Sequence, residues 1–150
     1  MRVDTASPAG DRVVIDTNIW LSAALSSRGS PAEVVSRVLT AKAHVFSDDT
    51  FAELRSRIWR TKFDRYLSRE MQNITLHDAS ATAHCVDVPP DIAARRFSRD
   101  LDDDKFIHAA LASGARWLVT GDADLLSINC DIGISIVTAA IALGLPDFYP

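Results

Sequence analysis

RVVIDTN, residues 12–18, decides how this chain is read. Val13, Val14 and Ile15 form an unbroken apolar run. A strand with one wet face would alternate. A continuous run of branched residues suits a strand covered on both faces, as in a parallel sheet. The run stops at an acid, Asp16, and Asn18 follows two residues later. In open parallel sheets, ligands bind beyond the carboxyl ends of the strands. Asp16 therefore stands where such sheets do their chemistry, although Asp-Thr-Asn is equally able to cap a helix starting near Ile19.

Four more short apolar runs follow: 44–46, 85–88, 117–120 and 134–137. Helical patterns separate them. Ser30 reads as an N-cap, with Pro31 in the first turn and Glu33 closing a capping box. Val34, Val35, Val38 and Leu39 mark one helical face. DDTFAELRSRIW buries Phe51, Leu54 and Ile58, a longer helix is expected over about 64–82, and DIAARRFS reads as a short one. DDDKFIHAALASGA begins with acids that suit a helix N-terminus and ends at Gly114, a C′ glycine. Strands alternating with helices predict an α/β protein: a three-layer α/β/α sandwich around a five-stranded, mainly parallel sheet. One domain over 13–150 is expected, after a loose polar tail over 1–12.

Hydrophobic residues make up 47% of the 150 and charged residues 24%, the balance of a globular protein with a core. No apolar stretch reaches the length of a membrane span, and the first dozen residues carry no apolar signal core, so a cytoplasmic location without membrane contact is the default expectation. Cys85 and Cys130 lie far apart, form no CxxC pair, and read as buried inert thiols. The net charge of −4 argues against generic nucleic-acid binding. Its distribution qualifies this: Arg55, Arg57, Arg60, Lys62, Arg65 and Arg69 cluster, as do Arg95, Arg96 and Arg99, while acid is dense over Asp100 to Asp104. Each residue singly suits a solvated face; as a set they suit an acidic pocket beside a basic rim able to hold a polyanion.

Asp16, Glu53, Asp104 and Asp122 are far apart in sequence and are the candidate site. Brought to one sheet edge, four carboxylates repel and raise one another's pKa unless cations are held between them. Glu53 alone reads as an exposed helix residue or as the end of a Thr50 capping box. The helix dipole explains two or three acids at 102–104 without function. It does not explain why Asp104 leads straight into the apolar FIHAALA, which must pack on the sheet. The crowded run keeps Asp103 open as the alternative, and the helix start favours Asp104. Thr120-Gly121-Asp122-x-Asp124 closes its strand with a hydroxyl, a glycine and two acids. His108, with no second histidine at ligand spacing, reads as a packed residue. GxSxG, P-loop and GxGxxG motifs are absent from the sequence.

DTNxW, a helical xxEL, DDDKFxxxA and VTGDxDLL, in this order from about Val13 to Leu143, resemble the PIN-domain ribonucleases, and within them the VapC-type toxin components of toxin–antitoxin pairs. Leu101 stands where similar sequences often carry proline. The resemblance implies a Mg²⁺- or Mn²⁺-dependent cut in RNA that leaves 5′-phosphate and 3′-hydroxyl ends. It implies Asp16, Glu53, Asp104 and Asp122 as catalytic and metal-binding acids, with Asn18, Thr120, Asp124 and Asp103 as polar support. Arg55, Arg57 and Arg60, just beyond Glu53, would grip the RNA backbone. A small antitoxin partner and a homodimer are implied too. Two alternatives remain at this point. One is a receiver-like or phosphatase-like domain using Asp16 as phosphoryl acceptor beside Mg²⁺ and Lys105, although Asn18 replaces the second acid of the usual DxD. The other is a non-catalytic interaction module.

Overall fold

The computed structural model describes residues 11–128 and 132–150. The tail expected over 1–12 thus falls, for its first ten residues, outside the described part, as does Cys130.

Among the described residues there are five strands: β1 (Val13–Ile15), β2 (Val45–Phe46), β3 (His84–Cys85), β4 (Trp117–Val119) and β5 (Ser135–Val137). β1, β4 and β5 pair in parallel, as do β2 and β3, and a parallel bridge from Val13 to His44 joins the two ladders. The strand order is therefore β3-β2-β1-β4-β5. The chain builds outward from β1 in one direction through β3, then returns to start the other direction at β4. The crevice between the carboxyl ends of β1 and β4 is the topological switch point, the place where such sheets bind ligands.

Side chains alternate across the central strands as period-two geometry requires. Val13, Ile15, Trp117 and Val119 enter one buried cluster, with Trp20, Val34, Val38, Leu54 and Ile58. Val14 and Leu118 point the other way, to Phe106, Ile107, Ala109, Ala110 and Leu125. The first layer is made by α1 (Thr17–Leu25), α2 (Ser30–Ala41), α3 (Asp48–Ile58), α5 (Arg69–Ala81) and α9 (Ala139–Leu143), with α4 (Thr61–Asp64) between α3 and α5. The second is made by α7 (Asp104–Ser113) and α8 (Ala123–Leu126), with α6 (Pro90–Ala93) leading into it. The three-layer α/β sandwich expected from the sequence is what forms. Among the described residues, no helix is long and apolar enough to cross a membrane.

Several boundaries differ from the sequence reading, each for a local reason. Gly29, at φ 102°, takes the N-cap of α2, so Ser30 lies inside the helix and Glu33 pairs with Arg37 at 3.0 Å instead of closing a box. The helix expected over 64–82 is split, because Ser68 caps α5 by accepting from the Met71 amide. DIAARRFS is helical only to Ala93. Beyond it the chain is drawn onto α7, where His108 Nε2 lies 2.7 Å from the Arg95 carbonyl oxygen. Gly114 ends α7 in the left-handed region at φ 69°, as its C′ position asks. Cys85 is exposed rather than buried, since β3 is an edge strand.

Leu118 is fully buried on the central strand β4. Leu118→Ala removes its packing against α7 and should cost about 3 kcal/mol. Urea denaturation followed by circular dichroism checks this; a loss below about 1 kcal/mol would show that the layer is not close-packed.

Candidate functional site

Asp16 leaves the end of β1 and sits at the N-cap position of α1. Ile15 pairs with Val119, and the Asp16 amide donates to the Val119 carbonyl at 2.9 Å. This register sets Asp16 beside Thr120. The Thr120 hydroxyl donates to Asp16 Oδ2 at 2.7 Å and accepts from the Asp122 amide at 3.0 Å. One buried threonine thus ties the acid after β1 to the acid after β4. Burial raises the pKa of Asp16, the Thr120 hydroxyl and the Asn18 amide oppose the rise, and Glu53 and Asp122 add to it.

Asp122 caps α8, accepting from the Asp124 amide at 2.7 Å. That turn carries the Asp124 side chain round to the same place. Asp103 arrives from the opposite side, at the end of a 3-10 turn (Leu101–Asp103) that runs into α7. Asp103, Asp122 and Asp124 each offer a carboxylate oxygen within 4.8 Å of the others. Asp103 is pushed up to about 7, first by burial, then by a hydrogen bond to Asp122 that only its protonated form donates, and by the charges of Asp122, Asp100 and Asp16.

The donor chemistry fits a hard divalent cation. Oxygen ligands lie about 2.0–2.6 Å from Mg²⁺ or Ca²⁺, so ligands on opposite sides of one ion are roughly 4 to 5 Å apart. The three oxygens, all within 4.8 Å of one another, fall within that reach. Burial and the neighbouring acids both make the charged form of Asp103 costly, and a cation held among the three would offset that cost.

Asp104 is placed differently from the sequence expectation. It is only 3% exposed, and its oxygens accept the Ser98 amide at 2.8 Å and the Phe97 amide at 3.2 and 3.3 Å. The acid that opens the helix is an anchor for the loop before it, and Asp103 occupies the place in the cluster expected of Asp104. Glu53 also stands apart from the three acids. The capping box of α3 is made by Ser47 and Thr50, which leaves Glu53 free to turn inward. Its Oε2 accepts from the Thr17 hydroxyl at 2.5 Å, and its Oε1 accepts from Lys105 Nζ at 3.0 Å and Arg57 Nη2 at 3.1 Å.

Arg57 also donates to Asn18 Oδ1 at 3.3 Å, which places Asn18 on the rim of the site. Arg60 lines the same open groove as Glu53, Arg57 and Lys105. Arg55 lies over the Phe51 ring, its guanidinium carbon 5.8 Å from the centroid. The sequence marks Lys105 only as a helper of a phosphoryl-acceptor site. Its position one residue after Asp104 carried no stronger signal, because its tie to Glu53 spans 52 residues.

A family model described as "PIN domain" matches residues 12–124, and the chain belongs to the PIN-domain family. An uncharacterized protein of Methanocaldococcus jannaschii, MJ1680, is 30% identical over 119 residues, covering 79% of this chain and 75% of that one. Among solved structures, PAE2754 from Pyrobaculum aerophilum superposes with a TM-score of 0.57 at 15% identity, over 87% of this chain and 86% of that one. VapBC2 from Rickettsia felis, bound to a DNA fragment from their promoter, superposes with a TM-score of 0.55 at 14% identity, over 83% of this chain and 96% of that one. At these identities the two structures share the fold.

The Asp103 carboxyl titrates near 7 when folded and at the usual 3.8 otherwise, so folding takes up a proton between those values. Its stabilising contribution is full below the lower value and is lost as pH rises through the upper one. Two melting-temperature outcomes are expected: Asp103→Asn flattens this fall in the metal-free protein, and Mn²⁺ stabilises the wild type more at about pH 8 than at about pH 5. An equal Mn²⁺ effect at both pH values, measured by differential scanning fluorimetry, would contradict the assignment.

Proposed function

We propose that this PIN domain is a divalent-metal-dependent ribonuclease, with Mg²⁺ or Mn²⁺ as cofactor and RNA as substrate. The observation that carries the reading is the convergence of Asp103, Asp122 and Asp124 at the switch point of the sheet, with Asp16 held behind them by Thr120. Asp122, Asp103 and Asp124 would hold the ion, and Asp16 would supply further negative charge at its back. When bound, such an ion makes water a stronger nucleophile and offsets charge on the leaving oxygen.

The chain's own part is electrostatic and positional. Thr120 keeps the Asp16 carboxylate oriented and spaces the two strand ends. Asp104 holds the 97–98 loop, and with it the approach of Asp103, in one conformation. Arg57 and Arg60, on the groove beside the acids, supply positive charge where an RNA backbone would run. The phosphoryl-acceptor alternative has less support: Asp16 is 4% exposed and one of its oxygens is already engaged by Thr120.

We also propose a toxin role, restrained by a small antitoxin that covers the acidic groove, in the cytoplasm and as a homodimer. The shared fold with VapBC2 and the sequence motifs support this reading. A gene for a small partner beside this one, and a stable complex on co-expression, are the tests.

Incubation with labelled RNA and Mg²⁺ or Mn²⁺ tests the activity. Asp122→Asn and Asp103→Asn should each lower cleavage at least about 100-fold with melting curves near the wild type, and chelator should abolish it. Asp104→Ala should instead lower stability by about 2 kcal/mol, because the buried Ser98 amide and the part-buried Phe97 amide lose their acceptor. Undiminished cleavage in chelator would end the metal-nuclease reading.

A further inference from the structure

Glu53 and the three clustered aspartates solve their charge problem in different ways. Asp103, Asp122 and Asp124 face one another. The Glu53 side chain is 9% exposed, and two cations, Lys105 and Arg57, lie within hydrogen-bond distance of one of its oxygens. The other oxygen accepts from Thr17. A carboxylate paired in this way is compensated without a metal ion, and a metal contact would require it to give up partners it already holds.

Lys105 has three N–H donors. One goes inward to Glu53 at 3.0 Å, and one goes outward to Asp102 Oδ1 at 3.1 Å. The two partners are unlike. The Asp102 side chain is 66% exposed, and an exposed ion pair of this kind is worth about 0–1 kcal/mol, so it exchanges readily. The buried tether to Glu53 does not. Lys105 and Arg57 line a groove with Ser56, Arg60 and Asp102. Glu53, which holds Lys105, and Asp122 of the cluster both act on the charge of Asp16, so the fixed cations lie beside the carboxylate cluster.

We infer that Glu53 is a positioning residue, not a metal ligand: it fixes Lys105 and Arg57 as a cationic wall for a backbone phosphate of the RNA, and Asp102 occupies the phosphate's place on Lys105 in the free protein. The inference rests on the ribonuclease reading and deepens it. Phosphate binding on this wall exchanges one anion for another. The Asp102 carboxylate swings into solvent, a phosphate oxygen accepts the Lys105 N–H, and the Glu53 bond is kept. No covalent bond changes.

Binding of a fluorescein-labelled single-stranded RNA in EDTA, followed by anisotropy over a salt series, tests it. Lys105→Gln should weaken binding about tenfold at low salt and reduce the slope of log affinity against log salt by about 0.7, the share of one lost cation on a single strand. Lys105→Arg should restore most of that slope. Asp102→Asn should act in the opposite direction and tighten binding severalfold, which a purely structural role for Lys105 would not produce. Mn²⁺ titration by electron paramagnetic resonance completes the test. Glu53→Gln should keep Mn²⁺ affinity within about threefold of wild type while losing RNA affinity, and Asp122→Asn should lose Mn²⁺ affinity more than tenfold. Equal loss of Mn²⁺ affinity in Glu53→Gln and Asp122→Asn overturns the inference, as does RNA binding by Lys105→Gln at wild-type strength. If the wild type cleaves RNA with metal and Lys105→Gln binds normally, only this inference falls. If the wild type neither binds nor cleaves RNA, the ribonuclease reading falls with it.

Discussion

The parallel register of β1 against β4 is the constraint on which the rest depends. Ile15 opposite Val119 brings the next residues, Asp16 and Thr120, to the same height at the sheet's carboxyl edge. A slip of one residue would reverse every side chain on the strand. Val14 would leave the α7 layer, and Asp16 would lose the Thr120 hydroxyl. The register is held by two cores at once, because the strand is covered on both faces. Packing on the two faces thus fixes a polar contact that neither face includes.

From that contact the site divides into two electrostatic halves. On one side, Asp103, Asp122 and Asp124 crowd together, and burial, with the hydrogen bond and charge of Asp122, raises the pKa of Asp103. On the other, Glu53 is neutralised by Lys105 and Arg57. Burial works against the charge on Lys105, but its hydrogen bonds to Glu53 and Asp102 outweigh it and raise its pKa. Thr17, adjacent to Asp16, joins the halves through its hydroxyl bond to Glu53. The first half is short of positive charge and the second carries it. A metal ion with a polyanionic ligand is what such a pair of neighbours would complement.

Much of this was legible in the residues. The unbroken runs at 13–15 and 117–119 announced strands buried on both faces, and an acid directly after such a strand announced the edge where ligands bind. The resemblance in the motifs named the family that the comparisons show. What was not legible depended on long-range competition. Glu53 could not be told from a cap partner until Ser47 and Thr50 were seen to close the box on their own. DIAARRFS has a helical pattern, yet residues after Ala93 follow α7, because His108 and Asp104 recruit the carbonyl and amides of that segment. No local propensity encodes a partner six to thirteen residues away.

The choice between Asp103 and Asp104 shows how finely the outcome turns. Successive helical residues point about 100° apart, so one position decides whether a carboxylate faces the cluster or the loop. The acidic run marks the start of α7 in the sequence, but not the rotation of each acid about it. That rotation comes from the apolar face of α7: Phe106, Ile107, Ala109 and Ala110 must all reach the sheet. With those four buried, Asp104 is carried inward beneath the 97–98 loop, where only backbone amides can satisfy it. Asp103, one step earlier, is left facing Asp122. The cluster is therefore a consequence of how α7 packs, and residues remote from it determine which acid joins it.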